Sequence, residues 1–410
     1  MEEHNLSKEK KIRVGKIDAL SIILLLSFLA TMNFVGRYYY FFVITFIVVL
    51  FHNCRGLKIN AEVVIEFFLG LALLFFSNES LGVTNIIKPF VYFMGGVIGC
   101  NILRNGESLD EKEKNFYKIM GALALGAWIH LLLNMLLNSK SIVYRNTVDV
   151  WTHKVYGATG QAGLGILAIA YSVANLFSQK GKKSKAINLF ILLVVLAYNL
   201  ILAGRTLLAV FFVEVAVAFV SVLYVNKDGR LKWKTVVIVI AMLCCIAAIY
   251  SFNMFNVREI VEKTTFYQRF FSGNYSQKIG DDDRLTYKMF YLNNMGGFLF
   301  GGTHLRSELG HYAHDLLLDG YDIGGIFTLT TLFLLLIFSA RNLIQTVFNR
   351  NLKFETKLLT ICFFCAFYIE FCMEPILAGF QWLFTAFCII NAVLNSLNKN
   401  LLGLQEGVCY

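Results

Sequence analysis

The sequence predicts an all-α membrane protein: a polytopic helical bundle of about twelve transmembrane helices with a large, partly helical outer loop. Composition is the first observation behind this class. The 410 residues are 57% hydrophobic and 16% charged, against roughly 45–50% apolar residues in an average soluble domain. The second is that the apolar residues form continuous runs between short polar joints, which is typical of helices and not of barrel strands. We expect one integral membrane domain over residues 1–410.

The individual spans follow from length. About 17–25 mostly apolar residues form a helix long enough to cross the hydrocarbon core. In chain order, this rule predicts spans at 17–35, 38–52, 61–77, 84–103, 116–138, 158–178, 186–204, 206–225, 234–253, 321–340, 356–373 and 375–396.

The distribution of Lys and Arg orients these spans, because basic residues are retained on the cytoplasmic side. They are concentrated in the N-terminal segment 8–16 and in alternate joints, at 55–58, 112–118, 180–185, 227–234 and 341–357. Both termini are therefore predicted to be cytoplasmic, and the long joints 139–157 and 254–320 to lie outside. The net charge of +10 serves this orientation and favours a lipid bilayer with anionic lipid. It indicates no nucleic-acid partner.

Titratable side chains crowd into the joint at 254–320, which is far longer than the others. Loops of more than about 12–15 residues are usually functional or disordered. The spacing of its aromatic residues predicts amphipathic helices. Three of the seven histidines of the chain, His304, His311 and His314, lie near the end of this joint. The alternative is a solvated loop that caps a membrane helix.

Charged residues also occur at the outer ends of predicted spans, where they indicate a polar cavity. Arg205 interrupts an apolar stretch of about forty residues, and the alternative for it is an arginine whose charge reaches the interface. Four further charged residues cluster on the same side: Arg37, Lys88, Glu370 and Glu374. Glu370 and Glu374 receive no role from the sequence alone.

Several of these features together resemble the O-antigen polymerase and O-antigen ligase superfamily, over residues 145–340. They are Arg205 in an apolar turn, the loop segment 283–287 with Arg284 and Tyr287, the Gly301-Gly302 pair, and the stretch 313–325 with His314 and Asp315. The chain has His314-Asp315 where the family has His-Asn. The resemblance implies a multi-pass protein of the bacterial cytoplasmic (inner) membrane, with its active site on the outer face. There the family joins glycans carried on undecaprenyl pyrophosphate.

The resemblance also implies roles for individual residues. Arg205 and Arg284 are expected to clamp the pyrophosphate, because guanidinium groups bind phosphate oxygens in a bidentate manner. His314 is expected to accept the proton of the acceptor hydroxyl, with Asp315 orienting it or the sugar. The catalytic prediction is thus His314, Arg205 and Arg284. The predicted substrate-binding residues are Arg205, Arg284, Tyr287, Arg306, His311 and Asp315.

A metal site is the alternative use of the three histidines, with Glu308 as a fourth ligand. Their spacing matches no familiar zinc pattern, and the resembled family works without a metal. Cys362 and Cys365 have a metal-like spacing but lie in an apolar run without a second pair. We therefore expect neither a metal nor a cofactor.

Three functions remain open. The leading one is a repeat-unit polymerase, which transfers a glycan from undecaprenyl pyrophosphate to another lipid-linked glycan in O-antigen or capsule synthesis. The alternative is an O-antigen ligase that transfers the glycan to lipid A core or another acceptor. A non-enzymatic flippase is third, because transporters place charges at the bilayer midplane and this chain gathers them in one outer loop. A flippase and a chain-length regulator are the protein partners that such a polymerase implies.

Overall fold

The computed structural model describes residues 19–53, 56–76, 83–103, 108–138, 146–178, 181–202, 204, 206–225, 251–253, 257–263, 267 and 283–406. The first helices are α1 (Ala19–Thr31), α2 (Tyr38–His52), α3 (Ala61–Phe76), α4 (Val83–Ile102), α5 (Leu109–Leu137), α6 (Ala158–Phe177), α7 (Lys182–Leu202) and α8 (Thr206–Val225). The later helices are α9 (Val257–Glu262), α10 (Asp283–Asn294), α11 (His304–Leu309), α12 (Leu316–Phe348), α13 (Phe354–Met373), α14 (Ile376–Gly379) and α15 (Gln381–Glu406).

Short elements complete the described fold. Two 3₁₀ turns cover Phe34–Gly36 and Met295–Gly297. Strands β1 (Asn146–Val148) and β2 (Val155–Gly157) form an antiparallel hairpin in which Thr147 pairs with Tyr156. The hairpin leads directly into α6.

Among the described residues, five helices are long and apolar enough to cross a membrane: α5, α6, α7, α12 and α13. Helices α1, α2 and a part of α8 (Thr206–Val222) are apolar but shorter. The predicted spans 38–52 and 206–225 match α2 and α8 in extent. The predicted span 234–253 lies almost wholly outside the described residues. The described residues thus support a helical membrane protein, with five helices that meet the full length criterion.

Two helices, α5 and α12, begin five or more residues before their predicted spans, because polar side chains cap the helices ahead of their apolar part. Helix α5 begins at Leu109 because Ser108 and Glu111 form a capping box. Helix α12 begins at Leu316 because the Asp315 carboxylate accepts hydrogen bonds from the N–H groups of Leu317 and Leu318. The hydropathy of a sequence window does not detect either extension.

The bundle is organised around α4 and α6. Helix α4 packs against α2, α3 and α15, and helix α6 against α5, α7, α8 and α13. Small residues allow these close approaches. A Cβ added at Gly99 on α4 would lie 2.3 Å from the carbonyl oxygen of Ile389 on α15. Helix α12 joins the helices around α4 to those around α6, because it contacts α3, α13 and α15.

A break in α12 holds the segment before α11 in place. Gly324 and Gly325 have non-helical dihedrals, and Gly325 has a φ of +60°. The Ile326 N–H donates to the carbonyl of Leu299 (2.9 Å), and the Thr303 N–H donates to that of Asp322 (2.7 Å). Backbone therefore lies directly against backbone, and a Cβ on Gly325 would be 2.1 Å from the Leu299 oxygen. This contact positions α11 and the chain that follows it.

Candidate active site around Glu374

The buried carboxylate of Glu374 is the meeting point of four distant parts of the chain. Glu374 is 1% exposed and follows the last residue of α13. Its Oε1 atom accepts from Arg284 Nη2 at 2.9 Å and from Thr206 Oγ1 at 3.4 Å. Its Oε2 atom lies 3.7 Å from His314 Nδ1. The start of α8, the start of α10 and the chain before α12 thus converge at the end of α13.

Arg284 provides the opposite charge that this carboxylate needs. A buried ionised carboxylate is costly unless it is paired and hydrogen-bonded. The Arg284 side chain comes from the first turn of α10 and is 20% exposed, whereas the Glu374 side chain is 1% exposed. The guanidinium therefore contacts the buried anion, while part of the Arg284 side chain remains accessible to a solute.

His314 has a backbone conformation that is unusual for its residue type. Its φ is +57°, in the left-handed region that non-glycine residues adopt at an energetic cost. The carboxylate of Asp319 holds the chain on both sides, because it accepts from the N–H of Ala313 (2.8 Å) and of Asp315 (3.1 Å). The orientation of His314 is consequently set by a buried group one turn into α12.

The ring nitrogen that faces Glu374 determines what the other nitrogen can do. The 3.7 Å separation between His314 Nδ1 and Glu374 Oε2 is longer than a hydrogen bond, and Nδ1 has no hydrogen-bond partner among the described residues. A carboxylate beside Nδ1 favours the tautomer with its proton on that atom. Nε2 then carries the lone pair and can accept a proton.

Lys288, one helical turn after Arg284 on α10, contacts two other segments of the site. Residues four apart lie on the same helix face. The Lys288 Nζ atom donates to the carbonyl oxygen of Cys372 at 2.6 Å and lies 3.4 Å from Asp315 Oδ2. Helix α10 is thereby fixed to the end of α13 and to the N-terminal cap of α12. These two contacts keep Arg284 in reach of Glu374.

The predicted site residues fall into separate groups. Arg284 and His314 both face Glu374. Asp315 caps α12 and pairs with Lys288, so the carboxylate that faces His314 is Glu374 and not Asp315. Arg205 lies outside the described residues, and its role stays a prediction.

Two further predicted residues pair with each other. The rings of Tyr287 and His311 stack with centroids 4.9 Å apart and planes 8° apart. The Tyr291 hydroxyl donates to the His311 carbonyl at 3.0 Å. Arg306 instead contacts Tyr312 through a 3.1 Å hydrogen bond and its ring face. The ring stack and the Tyr291 hydrogen bond join α10 to the chain segment between α11 and α12.

The three histidines of this segment have different neighbours. His304 stacks on Phe298 with centroids 5.0 Å apart, His311 stacks on Tyr287, and His314 faces Glu374. Within the part of the chain that the structure describes, no group of three His, Cys, Asp or Glu side chains is arranged to hold a metal ion.

Three residues of the site received no role from the sequence: Glu374, Thr206 and Lys288. The signal for Glu374 was a carboxylate at the outer end of a predicted span, four residues after Glu370. Glu370 is fully buried, and neither of its carboxylate oxygens has a hydrogen-bond partner among the described residues. Two buried carboxylates close to one arginine are typical of a functional site.

A second buried polar cluster is structural in character. His130 Nε2 lies 2.5 Å from Asp149 Oδ2, and both side chains are buried. The other oxygen, Oδ1, accepts from the N–H groups of Trp151 and Thr152 and from the Thr152 hydroxyl. Burial acts to raise the pKa of Asp149, but the hydrogen bond and charge interaction with His130 and the bonds from Thr152 lower it to about 2. The cluster anchors the β-hairpin on α5.

The fold and the site define a helical protein with membrane-length helices and a charged, partly accessible site where helix ends meet. Comparison with known proteins adds no closer assignment: no family model matches the chain, and no curated protein matches it at a significant level.

Proposed function

We propose that this protein is a membrane glycosyltransferase that uses a glycan linked to undecaprenyl pyrophosphate as its donor. The observation that carries the proposal is the convergence of Arg284 and His314 on the buried Glu374 carboxylate. This arrangement places the Arg284 guanidinium near a histidine whose Nδ1 faces the carboxylate, which leaves Nε2 as the proton acceptor. Transfer from a pyrophosphate leaving group needs both of these, a cation for developing negative charge and a base for the acceptor.

The reaction is a substitution at the anomeric carbon of the donor sugar. The acceptor hydroxyl oxygen forms a bond to that carbon, and the bond from the carbon to the pyrophosphate oxygen breaks. The electron pair of the broken bond leaves with the carrier pyrophosphate. The proton of the acceptor hydroxyl moves to Nε2 of His314. Charge and atoms balance without a further reactant.

Glu374 stabilises the histidine in this scheme. A carboxylate next to Nδ1 keeps the imidazole in the required tautomer and favours the imidazolium that forms when Nε2 takes the proton. The same carboxylate orients Arg284, whose guanidinium is fully charged at any working pH. Arg205, one residue before Thr206 in the chain, is the second predicted arginine of the clamp.

The location follows from the charge distribution of the sequence. The basic joints at 180–185, 227–234 and 341–357 assign residues 254–320 to the opposite side of the membrane. The site then lies on the outer face of the bacterial cytoplasmic membrane, and both termini lie in the cytoplasm. Consistent with one shared face, the N-terminal ends of α8 and α12 and the C-terminal end of α13 contribute to it.

The acceptor that we propose is the end of another lipid-linked glycan, so the protein is a repeat-unit polymerase. Deletion of the gene followed by analysis of surface polysaccharide tests this. A polymerase deletion leaves single repeats and no long chains. Accumulated long chains on the lipid carrier would instead identify a ligase, and loss of outward-facing lipid-linked repeats a flippase.

A further inference from the structure

A small polar cavity lies beside the candidate active site. Its volume is about 170 Å³. Helix α4 lines one side with Asn85, Lys88, Pro89 and Tyr92, which lie on one face of the helix. Arg306 and Tyr312 line another side, and the segment 377–381 closes it. The cavity thus brings together two basic side chains from regions more than two hundred residues apart in the chain.

The charge in this cavity is positive. Among the described residues that line it are Lys88 and Arg306 but no Asp or Glu. Neither cation forms an ion pair with a carboxylate of the described residues. Asp322 is an acidic neighbour whose charge interacts with that of Arg306, and its Oδ1 accepts hydrogen bonds from the backbone N–H groups of Leu305 and Arg306. Partly buried cations that form no ion pair are costly, and an anionic ligand would offset that cost.

Tyr312 holds the guanidinium of Arg306 in a defined position. Its hydroxyl accepts from Arg306 Nη1 at 3.1 Å, and the Arg306 Cζ atom lies 5.0 Å from its ring centroid. A stacked and hydrogen-bonded guanidinium has lost side-chain freedom before a ligand arrives. The cavity is therefore partly preorganised for an anion.

The cavity and the Glu374 site share two segments of chain. Tyr312 lines the cavity, and His314, two residues later, faces Glu374. Leu377 and Ala378 line the cavity, three and four residues after Glu374. One extended substrate can therefore contact both places, with its reacting end at His314 and another part in the cavity.

We propose that the Lys88–Arg306 cavity is a subsite for an anionic substituent of the glycan, such as the carboxylate of an acidic sugar. This rests on the proposed function, in which the donor pyrophosphate is held at Arg284 and the second positive site is left for a charge elsewhere on the substrate. Selectivity for acidic repeat units follows, because a neutral sugar would leave both cations without an ion-pair partner.

The test uses the purified full-length protein and two sugars that differ only at C6: glucuronate and glucose. Affinity is measured by NMR titration of each sugar for the wild type, Lys88→Met and Arg306→Gln. We expect glucuronate to bind and glucose not to bind, and each variant to weaken glucuronate roughly tenfold, as loss of one charge-assisted contact requires. Lys88→Arg should restore most of the affinity. Lys182→Met, which removes an exposed lysine on α7, is the matched control and should bind as the wild type does.

Three results would overturn the proposal. One is equal binding of glucose and glucuronate. Another is unchanged glucuronate affinity in Lys88→Met, which removes a side chain that forms no hydrogen bond or ion pair with the described residues. The third is strong competition by inorganic pyrophosphate that Lys88→Met abolishes, which would make the cavity the carrier headgroup site.

Binding of glucuronate to His314→Ala separates this proposal from the proposed function. Intact glucuronate binding together with lost transfer supports both. Lost transfer in that variant with no glucuronate binding to any form of the protein removes the subsite alone.

Discussion

Arg284 Nη2 lies 2.9 Å from Glu374 Oε1, and this ion pair fastens helix α10 to the end of α13. The two residues are separated by ninety positions in the chain. Because the Glu374 side chain is 1% exposed, the pair places an arginine on a fixed anion inside the protein. Catalytic electrostatics depend on such preorganised groups, which need no rearrangement when charge develops.

Arg284→Lys keeps the positive charge and loses the planar, five-donor fork. We expect transfer from a lipid-pyrophosphate donor to fall on the order of 10²-fold, as for loss of a preorganised donor, with the protein still folded. Initial rates with purified protein measure this. Arg258→Lys is the matched control, because Arg258 forms an exposed pair with Glu262, and it should keep its activity. An active Arg284→Lys protein with normal donor affinity would remove the guanidinium from the mechanism.

His314→Ala should reduce transfer by roughly 10²–10⁴-fold, the usual contribution of a general base. The donor should still bind. His311→Ala should have a smaller effect, since the His311 ring stacks on Tyr287 and lies in a different contact. Both variants are assayed before and after chelation. Wild-type activity that disappears on chelation and returns with zinc would contradict the role of His314 as a base.

Asp149 should make stability depend on pH in the acid range. Its pKa is about 2 in the folded protein, against about 3.9 for an aspartate in an unfolded chain. The unfolded state thus binds the proton more readily than the folded state. The contribution of Asp149 to the free energy of unfolding is therefore complete above about pH 4 and is lost as pH falls towards 2. Asp149→Asn should cost roughly 1–3 kcal/mol at neutral pH and flatten the acid dependence.

Thermal unfolding of the detergent-solubilised protein across pH measures the effect of Asp149. Glu259→Gln, on the exposed face of the short helix α9, is the control and should leave the profile unchanged. An Asp149→Asn protein with the wild-type acid profile would show that the His130 contact does not govern it.

Membrane orientation can be read from two introduced cysteines. Ser307 and Asn351 are both exposed, in α11 and in the joint between α12 and α13. The charge pattern places Ser307 outside and Asn351 in the cytoplasm. Ser307→Cys should therefore react with an impermeant thiol reagent in intact cells, and Asn351→Cys only after lysis, both relative to wild-type labelling. The reverse pattern would invert the topology and with it the position of the site.

Gly325→Ala should disrupt the contact that positions α11. The added Cβ would lie 2.1 Å from the Leu299 oxygen, at a φ of +60° where side chains are strained. We expect a lower unfolding temperature and strongly reduced transfer. Gly296→Ala is a matched control, because a Cβ there meets no atom within 4 Å. Equal stability of the two variants would show that the backbone contact is dispensable.

The helical class and several helix limits could be predicted from the sequence because apolar length and capping are local properties. Residues 38–52 and 206–225 were predicted as spans, and both form helices with those limits. The stretch with Arg284 and His314 was likewise found from local motifs. Arrangement around Glu374 could not be predicted, since its partners come from residues 206, 284 and 314.

Sequence alone therefore determined that this is an apolar, helical chain with a basic orientation signal and a histidine-rich segment. Only the tertiary structure decided that Glu374, and not Asp315, faces His314, and that Lys88 joins Arg306 in one cavity. The physical reason is that helix limits depend on neighbouring residues and their hydration. Which charged side chains meet depends on how the helices pack. The break at Gly325, for example, determines where the segment before α11 lies.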